Sequence, residues 1–199
     1  MSNSLYQQLE EHITALFSGE NGGTPHPLMV KHLKRAAYWV KVLRPDADEA
    51  FLLAAVGHDI ERAYKDKRPH GITEAEQNGT TLTDPVYLKF HQGEGARILG
   101  EWLQEHGADS KLIERVKHLV ETHEVGGDED QNLIQDVDSM SFFENNIDHF
   151  IKHFVKERGV DAVRTKFNWM WERMHSAKAK EIVRPWYEAA IQKLGQTTQ

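Results

Sequence analysis

The sequence predicts an all-α protein, a helical bundle with additional helices at its C-terminal end. Apolar residues recur at steps of three and four along most of the 199 residues, which is the spacing of one helix face. No alternating apolar–polar stretch rises above noise. The breaks between periodic stretches carry Gly, Pro, Asp and Thr, the residues that end and start helices. The length suits a single domain, 1–199, with a substantial core.

Leu5, Leu9, Ile13 and Leu16 or Phe17 mark a first helix over Ser4–Phe17, with His12 beside the stripe as a structural or exposed residue. Gly19 to Gly23 break it. The second helix, His26 to Leu43, aligns Leu28, His32, Ala36, Trp39 or Val40, and Leu43; His26, between two prolines, reads as loop. Asp46 or Asp48 caps a third helix that runs to about Ala63. This helix is apolar until it reaches His58-Asp59, with Arg62 one turn beyond His58. Tyr64 to Tyr87 is polar and without period, so it reads as a lid, a binding loop or a surface insertion.

Leu88 to His106 is helical again, with His91, Gly95, Ile98 and Trp102 on one face. Ser110 to about Glu124 aligns Ile113, Val116, Val120 and His123, while His118 points elsewhere. Gly126 and Gly127 stop this helix. The acidic run Asp128-Glu129-Asp130 suits the next N-terminus. Asn132 to about Arg158 reads as one long helix or two, with Ile134, Asp138, Phe142 and Asn145 or Asn146 on a common face and Asp136 on another. Two further helices follow, Val160 to Met174 and Ala177 to Leu194. In the first, Val163, Phe167, Met170, Trp171 and Met174 are core candidates, and Lys166, Met170 and Arg173 share one line. Pro185 kinks the last helix or starts its second half.

Composition narrows the function. The chain has no cysteine, so disulfides and thiolate metal sites are excluded, and a metal here must use His, Asp or Glu. Net charge is −7, which argues against a broad surface for long nucleic acid but leaves room for a local basic pocket. The first residues lack a basic, then apolar, signal-peptide pattern, and no run approaches the ~18 apolar residues that span a membrane. The expectation is a cytoplasmic protein without membrane association.

Four helices each place an unusual polar residue on an apolar stripe: His32, His91, His123 and Asp138. A fifth ends in His58-Asp59. Metal sites in helix bundles are built in this way from inward side chains. Histidine and carboxylate without thiolate suit Mn, Fe, Co, Ni or Zn, and tolerate Mg.

The order H…HD…D, carried by His32, His58-Asp59 and Asp138, resembles the HD-domain superfamily of metal-dependent phosphohydrolases. KHLKRAAYWV, LLAAVGHDIER and LIQDVDSM are similar to that family's ligand segments, with the second aspartate of the last, Asp138, at the ligand position. The resemblance covers about Leu28 to Glu144. It implies an HD-like core over about 26–145 and a C-terminal extension over 146–195. His91 in HQGEGARIL and His123 in VKHLVETHE stand where two-metal members carry their extra histidines. One or two ions are therefore implied, bridged by Asp59 when there are two.

The resemblance also implies hydrolysis of a phosphate ester of a small nucleotide or related metabolite. Asp59 would act in catalysis with Arg62, the basic residue of HD-x-x-[KR], which would bind phosphate. Glu61 would be a general acid or base, or simply exposed. Lys166, Arg173 and Lys178 would surround the leaving portion, or form a solvated face. Two other functions fit the same pattern: an HD-type di-iron oxygenase acting on a small organophosphonate or polyol, and a non-catalytic metal- or nucleotide-binding module.

Overall fold

The structure, a computed structural model, describes residues 3–67, Pro69, Ile72, Gln77 and 84–196. It is all-α, with no strand among the described residues. Most of the segment 64–87, expected to be a lid or loop, lies outside the described residues. Among those described, no helix is long and apolar enough to cross a membrane.

Helix α1 spans Leu5–Leu16 and begins with a reciprocal cap: Gln7 N donates to Ser4 Oγ and Ser4 N donates to Gln7 Oε1. Such caps satisfy amides that the first turn cannot. Helix α2, Pro27–Leu43, has proline in its first turn, where no amide donor is missed, and His26 as its cap. Helix α3, Glu49–Gly57, is capped by Asp48, the second of the two candidates. It ends at Gly57, and a 3₁₀ segment, Ile60–Lys67, follows. The expected single helix to Ala63 is thus broken at His58-Asp59. His58 is the C-cap of α3 and keeps helical dihedrals, φ −55° and ψ −34°, so it continues the last turn before the chain changes direction.

Helix α4 spans Pro85–Glu105 and is capped by Asp84, three residues earlier than its apolar period indicates. Helix α5, Ser110–Val120, is capped by Asp109 and stops short of His123. Helix α6, Glu129–Asn145, has a second reciprocal cap, between Asp128 and Gln131. It does not continue to Arg158. The chain breaks at Asn146 and runs through short helical pieces over 147–158, including a π-helical turn at Phe150–Phe154. Helices α7, Val160–Glu172, and α8, Ala177–Gln196, complete the described chain, and α8 passes through Pro185 without ending.

Helix α3 is the centre of the bundle, packed against α1, α2, α5 and α6. Its residues from Ala50 to Gly57, except Leu52, are buried. Full burial of a leucine, valine or phenylalanine contributes about 1.5–3 kcal/mol, so α3 cannot shift without losing much of the core. Helix α4 approaches its end closely at Gly95, where a Cβ would lie 3.0 Å from the His58 carbonyl oxygen. That approach brings His91 beside the α3 terminus. Helix α8 packs on α6 and α7. Asp136, on a different face from Asp138 as the spacing predicts, accepts from the amides of His175 and Ser176 at 2.6 and 2.9 Å and so holds the start of α8.

Candidate metal centre

Each of three histidines has one ring nitrogen tied to an acceptor and the other turned inward. His58 donates from Nδ1 to the Ala55 carbonyl at 2.9 Å, and His123 from Nδ1 to the Val120 carbonyl at 2.8 Å. Both carbonyls belong to the last turn of the preceding helix, α3 or α5. His91, on α4, places Nδ1 2.9 Å from Glu61 Oε2. With Nδ1 as the donor, each Nε2 presents a lone pair, which is the tautomer a metal requires.

The inward atoms meet around Asp59. Its Oδ1 lies 2.9 Å from His91 Nε2 and 3.7 Å from His123 Nε2, and its Oδ2 lies 4.0 Å from His58 Nε2. Asp138, on α6, places Oδ1 3.0 Å from His32 Nε2 and 3.6 Å from His58 Nε2. Two groups result: His32, His58 and Asp59, and Asp59, His91 and His123, with one donor atom per residue in each group within 4.8 Å of the others. Asp59 belongs to both.

These residues fit a metal ion. Among the described residues, His58 Nε2, His123 Nε2 and Asp59 Oδ1 are buried and lack an aligned hydrogen-bond partner. A buried polar atom left in this way costs about 1–3 kcal/mol; an ion in the first group would satisfy His58 and one in the second His123, with Asp59 common to both. The nitrogen and carboxylate donors suit a divalent transition metal without selecting one.

The charges agree. Burial opposes ionisation of Asp59, but Arg62 and His58 beside it hold its carboxyl well below the usual range. Burial likewise opposes ionisation of Asp138, which Arg173 and its two histidine neighbours keep low. Burial pushes the His58 imidazole down, yet Asp59 and Asp138 more than offset this and raise it to about 9. His123 is lowered, chiefly by burial. Arg62 lies over the second group, with Nε 2.8 Å from Asp59 Oδ2 and Nη2 3.3 Å from His91 Nε2.

The centre is the floor of a cavity of about 500 Å³. His32, Asp59, Arg62, Glu124, Asp138 and Lys166 all line it. The line of Lys166, Met170 and Arg173 expected on α7 does face the site. Lys166 lies over the Trp169 and Phe142 rings, 4.5 and 5.5 Å from their centroids. Burial lowers its ammonium to about 8, with Glu124 opposing.

Two assignments from the sequence change, and for a third the structure selects the solvated face. Glu61 is not exposed: it is 2% accessible and turned behind His91. It therefore orients a ligand and does not face the cavity. Arg173 has its donors occupied by Asp138, by Glu124 and, at 2.9 Å, by Ser139 Oγ. It clamps the floor and has no fork left for a substrate. Lys178 is exposed and donates to the Val42 carbonyl at 2.6 Å, away from the cavity.

Glu124 is the residue sequence reasoning missed. Buried next to His123, it is held by groups from other parts of the fold: its amide donates to Gln92 Oε1 at 2.9 Å, and its carbonyl accepts from Gln135 Nε2 at 2.8 Å. Its carboxylate, opposed by burial but beside Arg173, is lowered to about 2. The signal was present, since Glu124 follows His123 as Asp59 follows His58 at a helix end.

Comparison with curated proteins and with solved structures finds no match. A family model does match, over residues 17–191, and its span takes in both the His/Asp centre and the C-terminal helices that carry Lys166 and Arg173. The chain belongs to that family, described as "Domain of unknown function (DUF4202)".

Proposed function

We propose that the protein is a metal-dependent phosphohydrolase of HD type, acting on a phosphate ester of a small nucleotide or related metabolite. One observation carries the reading: Asp59 is shared by two histidine-containing groups on the floor of a cavity that also presents Arg62 and Lys166. The resemblance of the H…HD…D segments supports it.

The site would hold one or two divalent ions, Mn, Fe, Co, Ni, Zn or Mg, on His32, His58, Asp59 and Asp138, and on Asp59, His91 and His123. A bound ion acidifies water from 15.7 toward ~7 and draws charge from phosphoryl oxygens. Arg62, whose Nη atoms make only the longer contacts of 3.4, 3.3 and 3.5 Å to Tyr87, His91 and Glu124, would turn them to the phosphoryl group as a planar fork of donors. Water would give up a proton to solvent and attack phosphorus as the ester P–O bond breaks. Lys166 Nζ, facing the same cavity, hands a proton to the leaving oxygen. Glu124 remains ionised and keeps Arg173 on Asp138, while Glu61 fixes the His91 ring.

The test is phosphate release from a panel of nucleotides and sugar phosphates by protein loaded with each metal in turn. Turnover that requires metal and disappears in Asp59→Ala supports the reading; no turnover across the panel sinks it. The shared carboxylate among six donors also suits a di-iron oxygenase acting on an organophosphonate or polyol. Substrate-dependent oxygen uptake by iron-loaded protein, without phosphate release, would select that alternative.

A further inference from the structure

The cavity has a second end that phosphate chemistry does not use. Phe142, Phe150 and Phe154 all line it. Phe150 and Phe154 stack at 4.5 Å between centroids with planes 12° apart, and Phe142 stands edge-on to Phe150 at 5.1 Å. The π-helical turn sets Phe150 and Phe154 over one another, and such turns occur often at functional sites.

Asn146 is tied to two of them through the backbone, its amide donating to the Phe142 carbonyl at 2.8 Å and its carbonyl accepting from the Phe150 amide at 3.0 Å. It is 9% accessible and lines the cavity, and its amide oxygen is buried without a hydrogen-bond partner among the described residues. The neighbouring Asn145 also buries an amide oxygen without a partner among the described residues, but it does not line the cavity, and its amide nitrogen donates to the Ser141 carbonyl at 2.9 Å. Asn146 is where α6 stops, so no helical neighbour claims its side chain. His149, Glu157 and Arg158 line the same end, with the Arg158 guanidinium 5.7 Å from the Phe154 centroid; a buried amide oxygen left without a donor is costly unless a ligand completes it.

We infer that Asn146 and the Phe142–Phe150–Phe154 wall form a recognition subsite for a flat heteroaromatic base bearing a hydrogen-bond donor beside an acceptor. Stacking on aromatic rings accepts any base, whereas an asparagine amide pairs in bidentate fashion with a donor–acceptor edge such as N6 and N7 of adenine. A substrate of this class spans the cavity, with its base on the wall and its phosphate at Arg62 and Lys166. The inference rests on the proposed phosphohydrolase reading for the phosphate end only.

Adenosine tests it, because it carries no phosphate and its binding is independent of hydrolysis. Calorimetry should show adenosine binding to the wild-type protein, and purine riboside, which lacks the exocyclic amine, binding about tenfold more weakly. In Asn146→Leu, adenosine should fall to the level of purine riboside. That variant should melt no lower than wild type, since it removes an unpaired buried polar group. Absence of adenosine binding, or equal adenosine affinity in Asn146→Leu, overturns the subsite. Asn146-dependent adenosine binding by a protein that hydrolyses no phosphate ester would keep the subsite and reject the hydrolase.

Discussion

The two ends of the cavity are built to different standards. At the floor, His58, His91 and His123 are each fixed through Nδ1, and Asp138 is clamped by Arg173. Glu124 is pinned through both its amide and its carbonyl. At the wall, the pieces over 147–158 bury no residue fully, and Asn146 leaves its oxygen open. Ligand geometry must be held within fractions of an ångström, so these floor residues carry a second partner that sets their angle; His32, whose Nδ1 has no partner among the described residues, is the exception. Recognition of a flat group needs a surface more than an angle, and partly exposed aromatic residues supply one.

The comparison breaks most completely at Asp59. Asp59→Ala removes the carboxylate common to both groups, and phosphate release should drop to background with metal content per chain falling in parallel. Retention of full metal by elemental analysis would show that the two groups do not depend on one carboxylate. Arg173→Ala should come next. It leaves Asp138 and Glu124 as buried charges without their shared partner, which costs about 3–5 kcal/mol; chemical denaturation of the metal-free protein measures this. A loss under 1 kcal/mol would mean that Arg173 is not a clamp.

Glu61 sharpens the same contrast at smaller scale. Glu61→Ala frees His91 Nδ1 and should weaken metal binding about 10–100-fold. Glu61→Gln keeps an acceptor and should lose less. If both variants bind metal like wild type, Glu61 does not orient the ring.

Proton and metal should compete at His58. Its folded value is raised, so its contribution to the stability of chelator-treated protein is complete below 6.5, its ordinary value, and is lost as pH rises through about 9. Melting temperature of the metal-free protein should fall across that interval, and His58→Gln should flatten the fall. Metal loading should release protons, measurable by calorimetry in buffers of differing ionisation enthalpy. At the wall the effects should be least. Phe154→Ala removes a partly exposed ring, and about 1 kcal/mol of stability or less is expected with metal content unchanged. A large loss of metal in this variant would erase the distinction between the two ends.

Much of this arrangement can be read from residue order. The apolar steps of three and four set the helices. His32, His91, His123 and Asp138 stood out because a polar residue on a buried stripe needs a partner, and the same argument separated Asp138 from Asp136. Local capping chemistry narrowed the start of α3 to Asp46 or Asp48, and the structure selects Asp48. The misreadings were of another kind. Lys166 and Arg173 fall on one line of α7, yet Lys166 faces the cavity while Arg173 is consumed by Asp138 and Glu124. Glu61 reads from the sequence as a general acid or base, or as exposed, but in the fold it is buried behind His91.

The sequence by itself therefore determined the helical class, the stripe positions of the donors and the chemistry they can offer, because periodicity and side-chain type are local properties. Only the tertiary structure decided that Asp59 stands between two groups, that Glu124 joins the floor, that Glu61 supports a ligand, and that Asn146 is left open among aromatic rings. Those outcomes depend on distances between helices far apart in the chain. They depend also on which buried charge finds a partner first, and neither is written in the spacing of any one helix.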